Sequence, residues 1–394
     1  MIEHLLARTP QGVAGSLARA DDYLFGYAAG AIHGAEVCLG MPLRAAQYRS
    51  RELFPIFQMN LPEGYVLEQL RTRFAKTTRL DPMMLLAMTG SEAGIGRVQL
   101  SAPDYAAEAA HPIPLSQLLA HEGTESLFRQ LTNAYLIRTG ISGVQPKLLV
   151  PEAIDGPWRN AVLPTPELIV KASGSAYPGL PINEFVCMSI AREAGIPVAE
   201  FHLSDDHNRF VMRRFDRTPT GAALGFEDAA VLMGMNAESK YDSSYEHVAM
   251  VLAAYCEPAT RTASLAQFFD QVALSCMVGN GDAHLKNFGV IYTDTTSNDV
   301  RISPAYDIVC TTCYLRDDAL ALSLNGNQNL FTARLDLIEF GKRSCGIDDP
   351  RARIAHLLTS MEAIVYEHAD LIALVPNMEA ELSRRLPLYA HLVE

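Results

Sequence analysis

Residues 279–308 read GNGDAHLKNFGVIYTDTTSNDVRISPAYDI, and this stretch decides how the rest of the chain is organised. Just upstream, Leu265, Phe268, Phe269, Val272 and Cys276 recur at helical spacing. A buried helix is therefore predicted to run into the breaker Gly279-Asn280-Gly281. Asp282 and Asn287 stand on the loop beyond. An apolar run (Phe288 to Tyr292), a polar turn, a second short run and Tyr306-Asp307-Ile308 follow. Phosphoryl transfer needs this set: an acid that accepts the proton of a hydroxyl nucleophile, an amide oxygen for one Mg²⁺, and a carboxylate across a hairpin that holds the metal against the β- and γ-phosphates. Asp and Asn on a turn also satisfy local backbone groups as Asx-turn residues, so the spacing alone is a weak signal. His284 and Lys286 lie between them and either neutralise phosphate charge or belong to a solvated loop.

The chain has 394 residues, 49% of them hydrophobic, enough for two or three substructures with sizeable cores. No apolar run reaches the ~20 residues that span a bilayer, and the first residues, MIEHLLARTPQG, lack an apolar signal core, so a cytoplasmic protein without a membrane partner is expected. Seven cysteines without a regular framework fit a reducing compartment. Cys310-Thr-Thr-Cys313 has no second ligand pair nearby and reads as a partly buried thiol pair rather than a zinc site. A net charge of −13 argues against a direct grip on nucleic acid; any DNA contact is expected only indirectly, through a partner.

In chain order, residues 1–125 carry short apolar runs read as strands and turns (Tyr23 to Tyr27, Glu36 to Leu39). They also carry helices from about Val66 and over Pro82 to Met88, and a Gly-rich turn into a strand ending at Leu100. Ser116 to Leu131 is predicted helical. Ser142, Gly143, Val144, Gln145, Pro146 and Lys147 form a turn into the apolar Leu148-Leu149-Val150, and such a turn lets backbone N–H groups approach phosphate. An ordinary hairpin fits it too. Glu167 to Lys171 is a short strand ending in lysine, followed by a helix over Ile182 to Ala194 that Gly195-Ile196-Pro197 stops. Glu184 either pairs with Lys171 or complements the helix dipole. Val198 to Leu203 and Arg209 to Phe215 read as strands. Helices are predicted at Glu227 to Met235, Tyr245 to Cys256, Leu265 to Val278, Asp317 to Leu322 and Leu335 to Phe340. Two more close the chain, the first with the stripe Ile354, Leu357, Leu358, Met361, Ile364 and Val365. A glycine turn, a strand lysine and then a helix is the order of parts in a kinase nucleotide lobe, and protein kinases share the D-x-x-x-x-N spacing.

The ordered set SGVQPK (142–147), LIVK (168–171), NEFVCMSIAREAGIP (183–197), FVMRRFDR (210–217), EDAAVLMGM (227–235) with KYD (240–242), NGDAHLKN (280–287) and PAYDI (304–308) resembles the HipA family of bacterial toxin serine/threonine kinases. Upstream, FPIFQMNLPEGYVLEQLRTRF (54–74) and MTGSEAGIGRVQL (88–100) look like the subdomain that precedes the kinase core in full-length members. The resemblance implies an α+β, two-lobed protein-kinase-like fold, divided into a small N-terminal α/β subdomain (1–125), a kinase N-lobe (126–225) and a mainly helical C-lobe (226–394). It implies Asp282 as catalytic base and Asn287 and Asp307 as Mg²⁺ ligands, with His284 and Lys286 near the phosphates of ATP and Lys171 on the α- and β-phosphates. Ser142 to Lys147 would be the phosphate loop, and Arg213, Arg214 and Phe215 the adenine hinge. The implied partners are a small DNA-binding helix-turn-helix antitoxin and, as protein substrate, an aminoacyl-tRNA synthetase. A small-molecule kinase and a kinase-like scaffold for a DNA-binding antitoxin are the competing readings.

Family members autophosphorylate a serine of the phosphate loop. Here Gly140 stands where many members carry the first loop serine, leaving Ser142 as the acceptor. Phosphorylation adds about two negative charges beside a site built for ATP, so a phosphorylated loop is repelled from the pocket. Ser142→Ala should abolish most self-modification and Ser142→Asp should weaken nucleotide binding; equal phosphate uptake by Ser142→Ala in intact-mass spectra contradicts this.

Overall fold

The computed structural model describes residues 2–74, 80–89, 94–102, 112–120, 124–136, 145–153, 167–174 and 176–394. The first sheet comprises β1 (His4–Thr9), β2 (Gly12–Arg19), β3 (Tyr23–Tyr27), β4 (Tyr48–Ser50) and β5 (Gln99–Ser101), antiparallel throughout in the order β4-β3-β2-β1-β5. Side chains of a strand alternate faces, so Leu5, Ala7, Leu17 and Phe25 share a core with residues of α1 (Pro55–Gln58) and α3 (Pro82–Thr89). Between these two helices, α2 (Gly64–Phe74) packs Val66 and Leu70 against Leu85 and Met88. Glu36 to Leu39 forms no strand.

Next come α4 (Leu115–Ala120) and α5 (Thr124–Tyr135), two helices where one was expected over Ser116 to Leu131. A second antiparallel sheet joins β6 (Lys147–Pro151), β7 (Glu167–Ala172), β8 (Phe201–Leu203) and β9 (Arg209–Arg213) in the order β6-β7-β9-β8. Its alternation sorts two environments. Leu148, Val150, Leu168, Val170 and Val211 pack on Leu118, Leu127 and Leu131, while Lys147, Leu149, Ile169, Lys171 and Met212 line a cleft. Between β7 and β8 runs α6 (Leu180–Glu193), which starts at Gly179 in the left-handed conformation (φ 74°) and packs against the C-terminal helices.

The remaining body is mainly helical: α7 (Ala229–Leu232), α8 (Tyr245–Tyr255), α9 (Pro258–Val278), α10 (Leu337–Arg343), α11 (Pro350–Glu367), α12 (Ala369–Ile372) and α13 (Met378–Val393). No helix among the described residues is long and apolar enough to cross a membrane. A third sheet, β10 (Gly225–Asp228), β11 (Gly289–Tyr292) and β12 (Arg301–Ile302), sits against the cleft floor. Two expected helices change. Glu227 to Met235 begins as β10, whose register with β11 (Glu227 opposite Val290) satisfies an otherwise open edge; Asp228 then accepts Val231 N–H at 2.9 Å and caps the single-turn α7. Asp317 to Leu322 forms no regular element.

Glu227 ties the first sheet's connections to this body. Its buried carboxylate accepts Leu39 N–H at 2.8 Å and the Tyr292 hydroxyl. Burial pushes its pKa up to about 7, with the two hydrogen bonds opposing. In the unfolded chain a glutamate titrates near ~4.3. The folded group therefore holds its proton longer, and a penalty on folding grows as pH rises above ~4.3 and is complete above about 7. Glu227→Gln should remove this penalty, so the variant gains on the wild type between pH 5 and pH 8 by on the order of 3 kcal/mol. Urea unfolding at both pH values checks this; an unchanged difference between the two proteins contradicts it.

Candidate active site

The conformation of the loop that carries Asp282 and Asn287 follows from two glycines. At the end of α9, Gly279 takes φ 76° and its carbonyl accepts both the N–H and the hydroxyl of Thr311, the latter at 3.1 Å. Gly281 donates its N–H to Thr311 Oγ1 at 2.8 Å, and a β-carbon there would lie 2.6 Å from Ala319 O, so only glycine fits. The loop that emerges is pinned from inside. Asp282 N–H donates to Asn280 Oδ1 (3.0 Å), Tyr245 OH to Ala283 O (3.0 Å), and His284 N–H to Asn287 Oδ1 (3.0 Å).

Opposite this loop, Lys147 and Lys171 are direct cross-strand neighbours on β6 and β7 and both are buried. Like charges in that position repel, so anions must stand beside them. Glu184 of α6 provides one, with its Oε1 2.5 Å from Lys171 Nζ. Asp307 supplies the other: it is ion-paired with Lys171 and lies 3.9 Å from Lys147 Nζ. Burial works against charge in all four groups. Asp307 and Glu184 nonetheless raise the Lys171 pKa, and Lys171 and Lys147 hold the Asp307 carboxyl well below its usual range. Burial wins at Lys147, whose pKa falls, and at Glu184, whose pKa rises. Asp307 itself sits at φ 57°, a left-handed conformation uncommon outside glycine and typical of constrained functional positions.

The two sides enclose a cleft of about 570 Å³. Lys147, Lys171, Asp282, His284, Lys286, Asn287 and Asp307 all line it, with Gln145, Arg214 and Phe215. Pro146 flanks it, its carbonyl accepting Ala172 N–H. Arg213 does not join them: its guanidinium is held by Glu152 and Glu200, and its N–H donates to Glu200 O at 2.9 Å. Leu168 opposite Arg213 faces the hydrophobic core, so alternation turns Arg213 away from the cleft and Met212 into it. Ser142, Gly143 and Val144 lie outside the described residues, as does Gly140. His284 is not the cation the loop suggested, because burial first and Lys240 second push its pKa down to about 3 and leave it neutral. Lys286 is a cation but an engaged one, 2.8 Å from Glu63 Oε1. Burial also raises the Asp282 pKa, against a hydrogen bond from Tyr241.

Sequence reasoning did not single out Glu63, Asp228 or Tyr241 as site residues. Asp228 is buried near Lys286 in the cleft floor, and Glu63 enters from the N-terminal segment. Asn287 and Asp307 bring hard oxygen donors, one of them held ionised, to one cleft. That set suits Mg²⁺, which binds through one or two carboxylates plus substrate phosphates. No group of three or more His, Cys, Asp or Glu side chains gathers as a metal site among the described residues.

Comparison with known proteins gives two family matches: "HipA N-terminal domain" over residues 5–101 and "HipA-like C-terminal domain" over 139–367. A Sinorhizobium fredii protein named "Putative kinase Y4dM" is 35% identical over 178 residues, 41% of this chain and 42% of that protein. "Putative kinase Y4mE" of the same organism is 28% identical over 310 residues, covering 70% of this chain and 68% of that one. The chain thus spans less than half the length of the first of these relatives. Among solved structures, HipA of Shewanella oneidensis MR-1, in complex with HipB and its operator DNA, matches over 99% of this chain and 95% of its own at TM-score 0.66 and 18% identity. The fold is the two-lobed, kinase-like α+β fold of that protein.

Proposed function

This chain belongs to the HipA family, and we propose that it is an ATP- and Mg²⁺-dependent kinase that phosphorylates serine or threonine of a protein. The observation that carries the reading is one cleft in which Lys171, held between Glu184 and Asp307, faces the loop bearing Asp282 and Asn287. Phosphoryl transfer is mostly positioning and charge stabilisation, and each part has a residue here. Lys171 and Lys147 neutralise phosphate oxygens. Asp282, at the cleft mouth with its side chain 57% exposed, accepts the proton of an incoming hydroxyl. Asn287 and Asp307 would hold Mg²⁺, which when bound neutralises charge on the β- and γ-phosphates. Ile95, Leu149, Ile169, Met212 and Phe215 offer an apolar wall for the adenine ring.

The relative crystallised with HipB and operator DNA supports a further step: this chain acts as the toxin of a pair, restrained by a small helix-turn-helix antitoxin that carries the DNA contact. An aminoacyl-tRNA synthetase is the substrate the resemblance points to, and Ser142 the site of self-modification. The acidic balance, −13, fits a chain that reaches DNA only through its partner. Incubation with γ-labelled ATP, Mg²⁺ and cell lysate should place label in protein as phosphoserine or phosphothreonine, and Asp282→Asn should lower the rate roughly 10²–10⁴-fold. Label appearing in a metabolite would favour a small-molecule kinase. Toxicity undiminished in Asp282→Asn, with operator binding of the complex intact, would favour a scaffold.

A further inference from the structure

Asn183 has no part in the chemistry assigned above, yet it is fully buried on α6, one residue before Glu184. Its amide grips the backbone of Cys310 from both ends. Oδ1 accepts the Cys310 N–H at 2.7 Å, and Nδ2 donates to Cys310 O at 2.9 Å. Only this orientation of the amide satisfies both bonds, because the backbone N–H is a donor and the carbonyl an acceptor. Nδ2 also reaches Cys313 Sγ at 3.3 Å, and the Cys187 thiol approaches Oδ1 at 3.6 Å. Thiols are weak hydrogen-bonding groups, so the Cys310 backbone supplies the two strong partners of this buried amide.

The backbone held in this way lies three residues beyond Asp307, whose φ of 57° persists only where the surrounding structure fixes it. On the near side, Ala305 N–H donates to Pro197 O at 2.8 Å and Tyr306 OH to Lys286 O at 2.7 Å. On the far side stands the Asn183 clamp. Glu184, the next residue of the helix, ion-pairs with Lys171, and Lys171 with Asp307. These contacts close a ring that runs from Asp307 through Lys171, Glu184, Asn183 and Cys310 back along the chain to Asp307. Within it, the direction of the Asp307 carboxylate is set relative to the lysine assigned to the phosphates. We infer that Asn183 is a positioning residue for the metal: by clamping Cys310 it couples Mg²⁺ on Asp307 to nucleotide on Lys171, so that each tightens the other. Being fully buried, Asn183 acts only through Cys310 and touches neither ligand. This inference rests on the reading of Asp307 as a Mg²⁺ ligand.

The test measures binding of a fluorescent ATP analogue to the full chain, once in EDTA and once at saturating Mg²⁺, and needs no turnover. In the wild type Mg²⁺ should tighten binding by about tenfold or more. In Asn183→Ala the affinity in EDTA should stay within about twofold of the wild type, while the tightening by Mg²⁺ falls by about fivefold or more. Asn183→Asp keeps an acceptor for the Cys310 N–H and loses the donor to its carbonyl; it should lose tightening as well, and it decides the matter if Asn183→Ala does not fold. Cys187→Ala removes a contact to the same amide without releasing Cys310, and should tighten as the wild type does. Tightening retained in the Asn183 variants, or affinity lost equally with and without Mg²⁺, overturns the inference and leaves Asn183 a packing residue. A loss in Cys187→Ala equal to that in Asn183→Ala overturns it too. Asp307→Asn separates the two readings: tightening that survives there refutes Asp307 as a metal ligand, whereas tightening lost there but kept in Asn183→Ala refutes the positioning role alone.

Discussion

A buried ammonium cannot stand alone in a protein interior, and the structure depends on how the one at Lys171 is compensated. Its partners come from different parts of the fold: Glu184 from α6 and Asp307 from the segment after β12. Removing one partner of such a buried set commonly costs about 3–5 kcal/mol, because a charge is left without a counter-ion. The arrangement therefore locks the strand, the helix and the Asp307 segment into one register. Asp307 is fixed from both flanks in its left-handed conformation: Ala305 N–H donates to Pro197 O at 2.8 Å, and Cys310 N–H to Asn183 Oδ1 at 2.7 Å. Asn183 and Glu184 are consecutive on α6, so one helical turn holds both Lys171 of β7 and the segment that follows Asp307. This explains how a conformation that costs about 1–3 kcal/mol persists. It also places a carboxylate kept ionised, and two lysines, where a polyphosphate and its metal can replace the contacts they now make with each other.

The N-terminal segment takes part in this site as well as preceding it. Met59, Glu63 and Ile95 line the cleft, and Glu63 engages Lys286 one residue from Asn287. Behind it the buried Arg97 donates to Glu36 O at 3.2 Å, and the charge of Glu227 supports its ionised form. The N-terminal segment is thus coupled to the Asp282–Asn287 loop by charge and to the helical body by hydrogen bonds.

Much of this was legible in the residues. The apolar period of α9 and the glycines after it located the loop that carries Asp282 and Asn287, because a helix ending in a left-handed glycine leaves few courses for the next residues. Lysine at the end of an apolar strand fits solvent as well as a buried anion, and glutamate early in the following helix fits the helix dipole as well; the fold decides for their pairing. What escaped has physical causes. Glu227 and Asp228, the first two residues of Glu227 to Met235, fit a strand as readily as a helix, and pairing with β11 decides between them. The side chain of Arg213, named for the hinge, turns away from the cleft, because pairing Lys171 with Phe210 puts Met212 on the cleft face. The neutrality of His284 comes from burial, which its polar neighbours in sequence do not reveal. Glu63 and Tyr241 reach the loop from distant positions, and no local pattern marks them. Ser142, named from sequence as the self-modified residue, lies outside the described residues.

The central claim is that Lys171, Asp282, Asn287 and Asp307 surround one triphosphate. A crystal structure with a non-hydrolysable ATP analogue and Mn²⁺ as an anomalous stand-in for Mg²⁺ tests it most directly. The account predicts phosphates between Lys171 and the Asp282–Asn287 loop and an anomalous peak bonded to oxygens of Asn287 and Asp307. Nucleotide bound elsewhere, or metal held by other residues while Lys171 stays closed on Asp307, would contradict it.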